Sequence, residues 1–88
     1  MPDQEKVFSA LASEARLEIL KMVSAHSLCV NALVHKLDMS QPAVSQHLKI
    51  LENAGLIKGE KRGPFVHYSL VSKNLEETLN YINKLVRR

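Results

Sequence analysis

Residues 39–56 read MSQPAVSQHLKILENAGL, and the polar side chains in this stretch recur at helical spacing. At about 100° per residue, Val44, Leu48, Leu51 and Gly55 fall on one line. Pro42, Gln46, Lys49 and Asn53 fall nearly opposite, with Ser45 on one flank and Ala43 on the other. Gln41 falls nearer the apolar line. Residues 39–51 contain no Asp or Glu. A face of this kind can read base edges. A glutamine amide donates and accepts toward adenine, a serine hydroxyl serves several bases, and Ala or Pro can touch a thymine methyl. Small side chains let a helix enter a groove closely, and its N-terminus offers amides and a positive dipole end to phosphate. Lys49 adds a cation. Gln46 and Lys49 alone would suit any solvated helix, so the surroundings must decide. His47 lies at the edge of the apolar line, where packing against neighbouring helices is favoured over a base contact. Glu52 and Asn53 fit a solvated end.

The elements that would hold this face can be read outward from it. Ser40 suits an N-cap, Pro42 is tolerated in a first turn, and Gly55 suits a left-handed C-terminal cap. Before it, Val30, Leu33, Val34 and Leu37 predict a short helix over about 30–37, joined by the tight connection 38–40. Ser13 caps a helix with Leu17, Leu20 and Val23 as its stripe, joined by Ile19. Val7, Phe8 and Leu11 mark a first helix over about 4–12. After Gly55 the period changes. Residues 56–61 and 65–70 predict two strands joined by the turn Arg62-Gly63-Pro64. Leu75, Leu79, Ile82 and Leu85 then predict a last helix. The expected architecture is mainly α with a small β-hairpin, a winged helix-turn-helix of order α-α-α-α-β-β-α.

The 88 residues suit one domain, 1–88, near the small end of what folds alone, so oligomerisation could supply part of its stability. No apolar run approaches the ~20 residues of a membrane helix, and no signal peptide is visible at the N-terminus. The single cysteine, Cys29, excludes an intrachain disulfide and fits a reducing, cytoplasmic location. Net charge is +3. Its positive part lies after residue 38, with Lys49, Lys58, Lys61 and Arg62 around the fourth helix and hairpin, and Lys73, Lys84, Arg87 and Arg88 beyond. That distribution favours a polyanionic partner. No Ser/His/Asp pattern, carboxylate pair or phosphate-binding glycine loop appears, so an enzyme is not expected.

The segments LASEARLEIL, LCVNAL, MSQPAVSQHLKILENAGLI and VHYSL, in this order over 11–70, resemble the ArsR/SmtB-type family of winged-helix repressors. The resemblance implies a homodimer that binds a double-stranded DNA operator of two similar half-sites and represses transcription until an effector arrives. It implies base contacts at Gln41, Pro42, Ser45 and Gln46, three of which the helical geometry also turns outward. Pro42 stands where the family often has Ser, and it cannot donate a hydrogen bond there. The expected DNA-contacting set is Ser40, Gln41, Pro42, Ser45, Gln46 and Lys49 on the helix, with Lys61 and Arg62 on the wing. In the family the first and last helices form the dimer interface, which here points to Val7, Phe8, Leu11, Leu79, Ile82 and Leu85. For Leu11 and Leu75 closure of the monomer core is an equal possibility.

Many relatives sense metals through a Cys-x-Cys pair in the third-helix region or through Asp and His on the last helix. Here the first becomes Cys29 and Asn31, and residues 75–88 hold Glu76 and Glu77 but no Asp or His. No metal site and no cofactor are therefore expected, and the effector is unknown. Three alternatives remain: a winged-helix module for protein or RNA contacts, a metal or redox sensor built around Cys29 with His26, His35 or His67, and a DNA binder with no effector. An acidic or apolar outward face on the fourth helix would mark the first, and that face is neither.

Overall fold

A computed structural model describes residues 3–87; Met1, Pro2 and Arg88, counted above in the domain and its charge, lie outside the described residues. Each helix begins where a short polar side chain can take over an unpaired amide, or where the preceding strand dictates the entry. The Asp3 carboxylate accepts from the Glu5 and Lys6 amides at 3.0 and 3.3 Å and opens α1, Gln4–Leu11. The Ser13 hydroxyl accepts from the Arg16 amide at 3.2 Å and opens α2, Glu14–Ala25. Strand β1, Leu28–Cys29, runs directly into α3, Val30–Leu37. Asp38 ends α3 in the left-handed region at φ 53°, a conformation Asp tolerates better than most residues. Ser40 then opens α4, Gln41–Asn53, accepting from the Ala43 amide.

The end of α4 follows the glycine rule expected from the sequence. Gly55 sits at φ 78°. Its amide donates to the Glu52 carbonyl at 2.9 Å, and the Leu56 amide donates to the Leu51 carbonyl at 3.0 Å. This double closure of the last turn needs a residue free of the Cβ penalty. The chain leaves it as β2, Ile57–Arg62, turns at Gly63-Pro64, and returns as β3, Phe65–Leu70. Helix α5, Ser72–Val86, completes the fold.

The winged helix-turn-helix expectation holds, and the hairpin gains a third strand. β1 pairs antiparallel with β3, giving the sheet order β1-β3-β2. Two residues are too few to show a period of two, so nothing in the sequence pattern marks Leu28–Cys29 as a strand. Directly opposed residues share a face in such a ladder. Ile57 with Leu70, and Gly59 with Tyr68 and Leu28, line one face. Glu60, His67 and Cys29 line the other.

Ile19, Leu33, Leu48, Leu51, Leu56, Ile57, Val7 and Val44 are the largest fully buried side chains. They come from α1, α2, α3, α4, the turn at Leu56 and the start of β2, so the fourth helix is held from several sides. Two expectations are corrected here. Val7 is fully buried within one chain, packed in the core rather than on an open face, and so cannot belong to a subunit interface. Leu17 is 49% exposed, and the inner side of α2 is Ile19, Leu20 and Val23. The stripe is displaced because Ile19, not Leu17, fills the centre.

Candidate nucleic-acid interface

Helix α4 is fixed by what lies behind it. Val44, Leu48 and Leu51 are buried, which orients the remaining side chains by helical geometry alone. Gln41, Pro42, Gln46 and Lys49 are exposed, and Ser45 is half-buried. Gln41 is therefore turned out and not toward the core. At the first turn the helix has not yet reached its packing partners, so position on the helical wheel does not decide burial there.

Gln41 and Ser45 are one turn apart and joined. The Gln41 Nε2 donates to the Ser45 Oγ at 2.8 Å. The Ser45 hydroxyl proton, the second Gln41 Nε2 proton and the Gln41 carbonyl oxygen remain free, so the joined pair presents both donors and an acceptor. The amides of the first turn are fewer than a generic helix start would offer. Pro42 has none, the Ala43 amide is held by Ser40 Oγ, and the Val44 amide donates to the Ser40 carbonyl at 3.1 Å. Among residues 41–44, the Gln41 amide alone is left for an outside acceptor such as a phosphate. Ser40 serves as a cap through its oxygen and keeps its proton to donate.

His47 is half-buried, and its Nδ1 lies 3.2 Å from the Arg16 Nη1. It is thus turned toward α2, in keeping with packing rather than base contact. Arg16 was not singled out by the sequence pattern. A signal was present: a cation in the first turn of a helix opposes the dipole there, and its presence asks for another purpose.

On the wing, Lys58, Lys61, Arg62 and Pro64 are exposed. Arg62 turns back, with Nη1 donating to Ser27 Oγ at 3.3 Å and Nη2 3.5 Å from Glu60 Oε1. Both side chains of this ion pair are more than half exposed, so it holds Arg62 only loosely. Lys61 lies on the opposite face of the strand, across from Val66.

The structure brings together only part of the cysteine-histidine set. Cys29 faces His67 across the β1–β3 ladder, while His26 and His35 are exposed. Among the described residues no three His, Cys, Asp or Glu side chains gather where they could hold a metal ion. Cys29 and Asn31 supply a single thiolate, a poor donor set for the soft ions that thiolate pairs select. No helix among the described residues is long and apolar enough to cross a membrane.

Of the residues expected at a subunit interface, Phe8, Leu79, Ile82 and Leu85 are exposed and Leu11 is half-buried. Phe8 and Tyr81 pack ring against ring with centroids 6.1 Å apart, so α1 and α5 present a joint apolar surface.

A core drawn from α1 to α4, a capped and carboxylate-free helix face, and a basic hairpin beside it define a winged helix-turn-helix DNA-binding protein. The family model described as Bacterial regulatory protein, arsR family, matches residues 13–58, and the chain belongs to that family. An uncharacterised HTH-type transcriptional regulator of Methanocaldococcus jannaschii is 33% identical over 81 residues, covering 91% of each chain. The HTH-type transcriptional repressor SmtB of Mycobacterium tuberculosis is 41% identical over 70 residues, covering 80% of this chain. The chain spans 52% of the length of that repressor. The solved structure of an ArsR-like transcriptional regulator from Rhodococcus sp. RHA1 superposes with a TM-score of 0.88 at 27% identity, covering 96% of this chain and 79% of that one. The chain is a transcriptional regulator and not an enzyme.

Proposed function

We propose that this chain is a homodimeric, sequence-specific repressor that reads operator DNA with α4 and clamps the flanking phosphates with its wing. The observation that carries this reading is the outward face of α4. Gln41, Pro42, Ser45, Gln46 and Lys49 project from a helix whose opposite side is wholly buried, with no carboxylate among residues 39–51. Ser40, Lys61 and Arg62 serve phosphates around it. Phe8, Leu79, Ile82 and Leu85 form the contact with a second copy, Leu11 lying at its margin. Two-fold symmetry then places two reading helices about 34 Å apart, one DNA turn, on a pseudo-palindromic site.

The control of binding does not run through the family's familiar metal sites in this reading. Their positions hold Cys29 with Asn31, and Glu76 with Glu77. The test is a gel shift with the DNA upstream of the chain's own gene, at stated salt, with and without Zn(II), As(III) and peroxide. Retarded complexes competed by the same duplex and not by scrambled DNA are expected, unchanged by either metal. Absence of any sequence preference would refute operator reading. Release by Zn(II) or As(III) would refute the loss of metal control.

A further inference from the structure

The guanidinium of Arg16 makes three contacts that base reading does not explain. Its Nε donates to the Ala10 carbonyl at 2.7 Å and its Nη2 to the Ser9 carbonyl at 3.2 Å. Its Nη1 lies 3.2 Å from His47 Nδ1. Ser9 and Ala10 belong to the last turn of α1, Arg16 to the first turn of α2, and His47 to the middle of α4. One planar fork thus joins three helices.

Local physics alone would not place a cation here, because the first turn of a helix disfavours positive charge. The compensation is at the end of α1. A helix leaves its last carbonyls without intrahelical partners, and a cation beside them is favoured by the dipole. Ala10 is fully buried, so its carbonyl would have no partner in water if the guanidinium were removed. Arginine can only donate. A hydrogen bond between the two therefore has His47 Nδ1 as its acceptor, which needs the ring proton to sit on Nε2. The ring's orientation is set, and with it the edge of α4 next to Gln46.

We propose that Arg16 is a positioning residue for DNA reading, which holds His47 against the end of α1 and so sets the angle at which Gln41, Ser45 and Gln46 meet base edges. This rests on α4 being the reading helix. Base-edge hydrogen bonds need close geometry, whereas flexible lysines keep their phosphates through a small rotation of the helix. Loss of the clasp therefore lowers specific binding and spares non-specific binding. The same clasp connects α1, which carries Phe8 at the proposed subunit contact, to the reading helix.

The probe is a duplex selected from a random-sequence pool by the wild-type protein, compared with a scrambled duplex of the same composition. Arg16→Gln and His47→Leu should each lower the ratio of the two affinities about tenfold, the scale of one lost base-pair contact. Affinity for the scrambled duplex should stay within about twofold, because its phosphate contacts are retained. His47→Asn, whose Oδ1 can take the place of Nδ1, should restore most of the ratio. The double variant Arg16→Gln/His47→Leu should be no worse than the poorer single one, since both remove the same link. In ¹⁵N spectra His47 should show an unprotonated Nδ1 and a protonated Nε2, and lose that fixed tautomer in Arg16→Gln. Should Arg16→Gln fail to fold, the two His47 variants decide alone. An unchanged ratio in His47→Leu, or a proton on Nδ1 in the wild type, overturns the clasp while leaving DNA reading intact. A wild-type protein that selects no duplex overturns both.

Discussion

The Asn74 side-chain amide donates to the Gly55 carbonyl at 2.7 Å, fastening α5 to the end of α4. The two residues are also in steric register. A Cβ added at Gly55 would stand 3.0 Å from Asn74 Nδ2. Position 55 therefore combines a positive φ with a close neighbour. Gly55→Ala should destabilise the chain by about 1–2 kcal/mol through the left-handed backbone alone. Asn74→Ala should cost a similar amount, about 1–3 kcal/mol, by leaving a part-buried carbonyl without its donor. Urea unfolding followed by circular dichroism reads both. A midpoint unmoved by Gly55→Ala would mean that the turn re-forms without its left-handed residue.

The exposed face of α4, the proposed reading face, was legible in the sequence because its cause is local. Ser40, Pro42 and Gly55 punctuate α4, and Val44, Leu48 and Leu51 fix its buried side, so the outward face follows from period and caps. What escaped the sequence is set by distant partners. Leu28–Cys29 becomes a strand only because Tyr68 and His67 lie alongside. Arg16 has no sequence neighbour that explains it; Ser9, Ala10 and His47 meet it only after the helices pack. Val7 and Phe8 are adjacent and looked equivalent, yet one fills the core and the other is 39% exposed. Periodicity shows that a helix has an apolar side, but not where along that side the core stops.

In the proposed reading the wing supplies affinity without sequence preference. Each phosphate contact adds about 0.9 to the slope of log affinity against log salt. Lys61→Ala with Arg62→Ala should weaken binding to selected and scrambled duplexes alike and flatten the slope by up to about 1.8, the value for two such contacts. Because Arg62 is partly engaged by Ser27 and Glu60, Lys61→Ala alone should account for the larger share. Affinities from fluorescence anisotropy at several salt concentrations separate these outcomes. An unchanged slope in the double variant would place the wing off the DNA.

Tyr68, on the face of the sheet packed against the core, should mark the chain's stability in alkali. Burial, and then the nearby Glu52 carboxylate, raise its phenol above the ordinary value of 10.0. The folded state thus favours the neutral phenol. The stabilisation is fully present below 10.0, the unfolded value, and is lost as pH rises through the higher folded value. Denaturant midpoints measured across this range should fall more steeply for wild type than for Tyr68→Phe. Parallel curves for the two proteins would show that Tyr68 titrates alike in both states.

The apolar surface left by one chain is the ground for the dimer. Leu79 and Leu85 are 56% and 53% exposed, and Ile82, one turn from each, is 38% exposed. Thr78 is the one buried residue of α5, its hydroxyl donating to Gln4 Oε1 at 2.9 Å. Helix α5 thus spends little of its apolar side on its own chain. A second copy would cover that side and add stability that depends on protein concentration. Ile82→Glu or Leu79→Glu would bury a charge in such a contact without a partner, which is strongly unfavourable. Sedimentation at micromolar concentration should show a dimer for wild type and a folded monomer for either variant. The monomer should also lose tight operator binding, because each half-site alone then has to hold its own copy. A wild-type protein that sediments as a monomer at that concentration would remove the dimer, and with it the expected spacing of the half-sites.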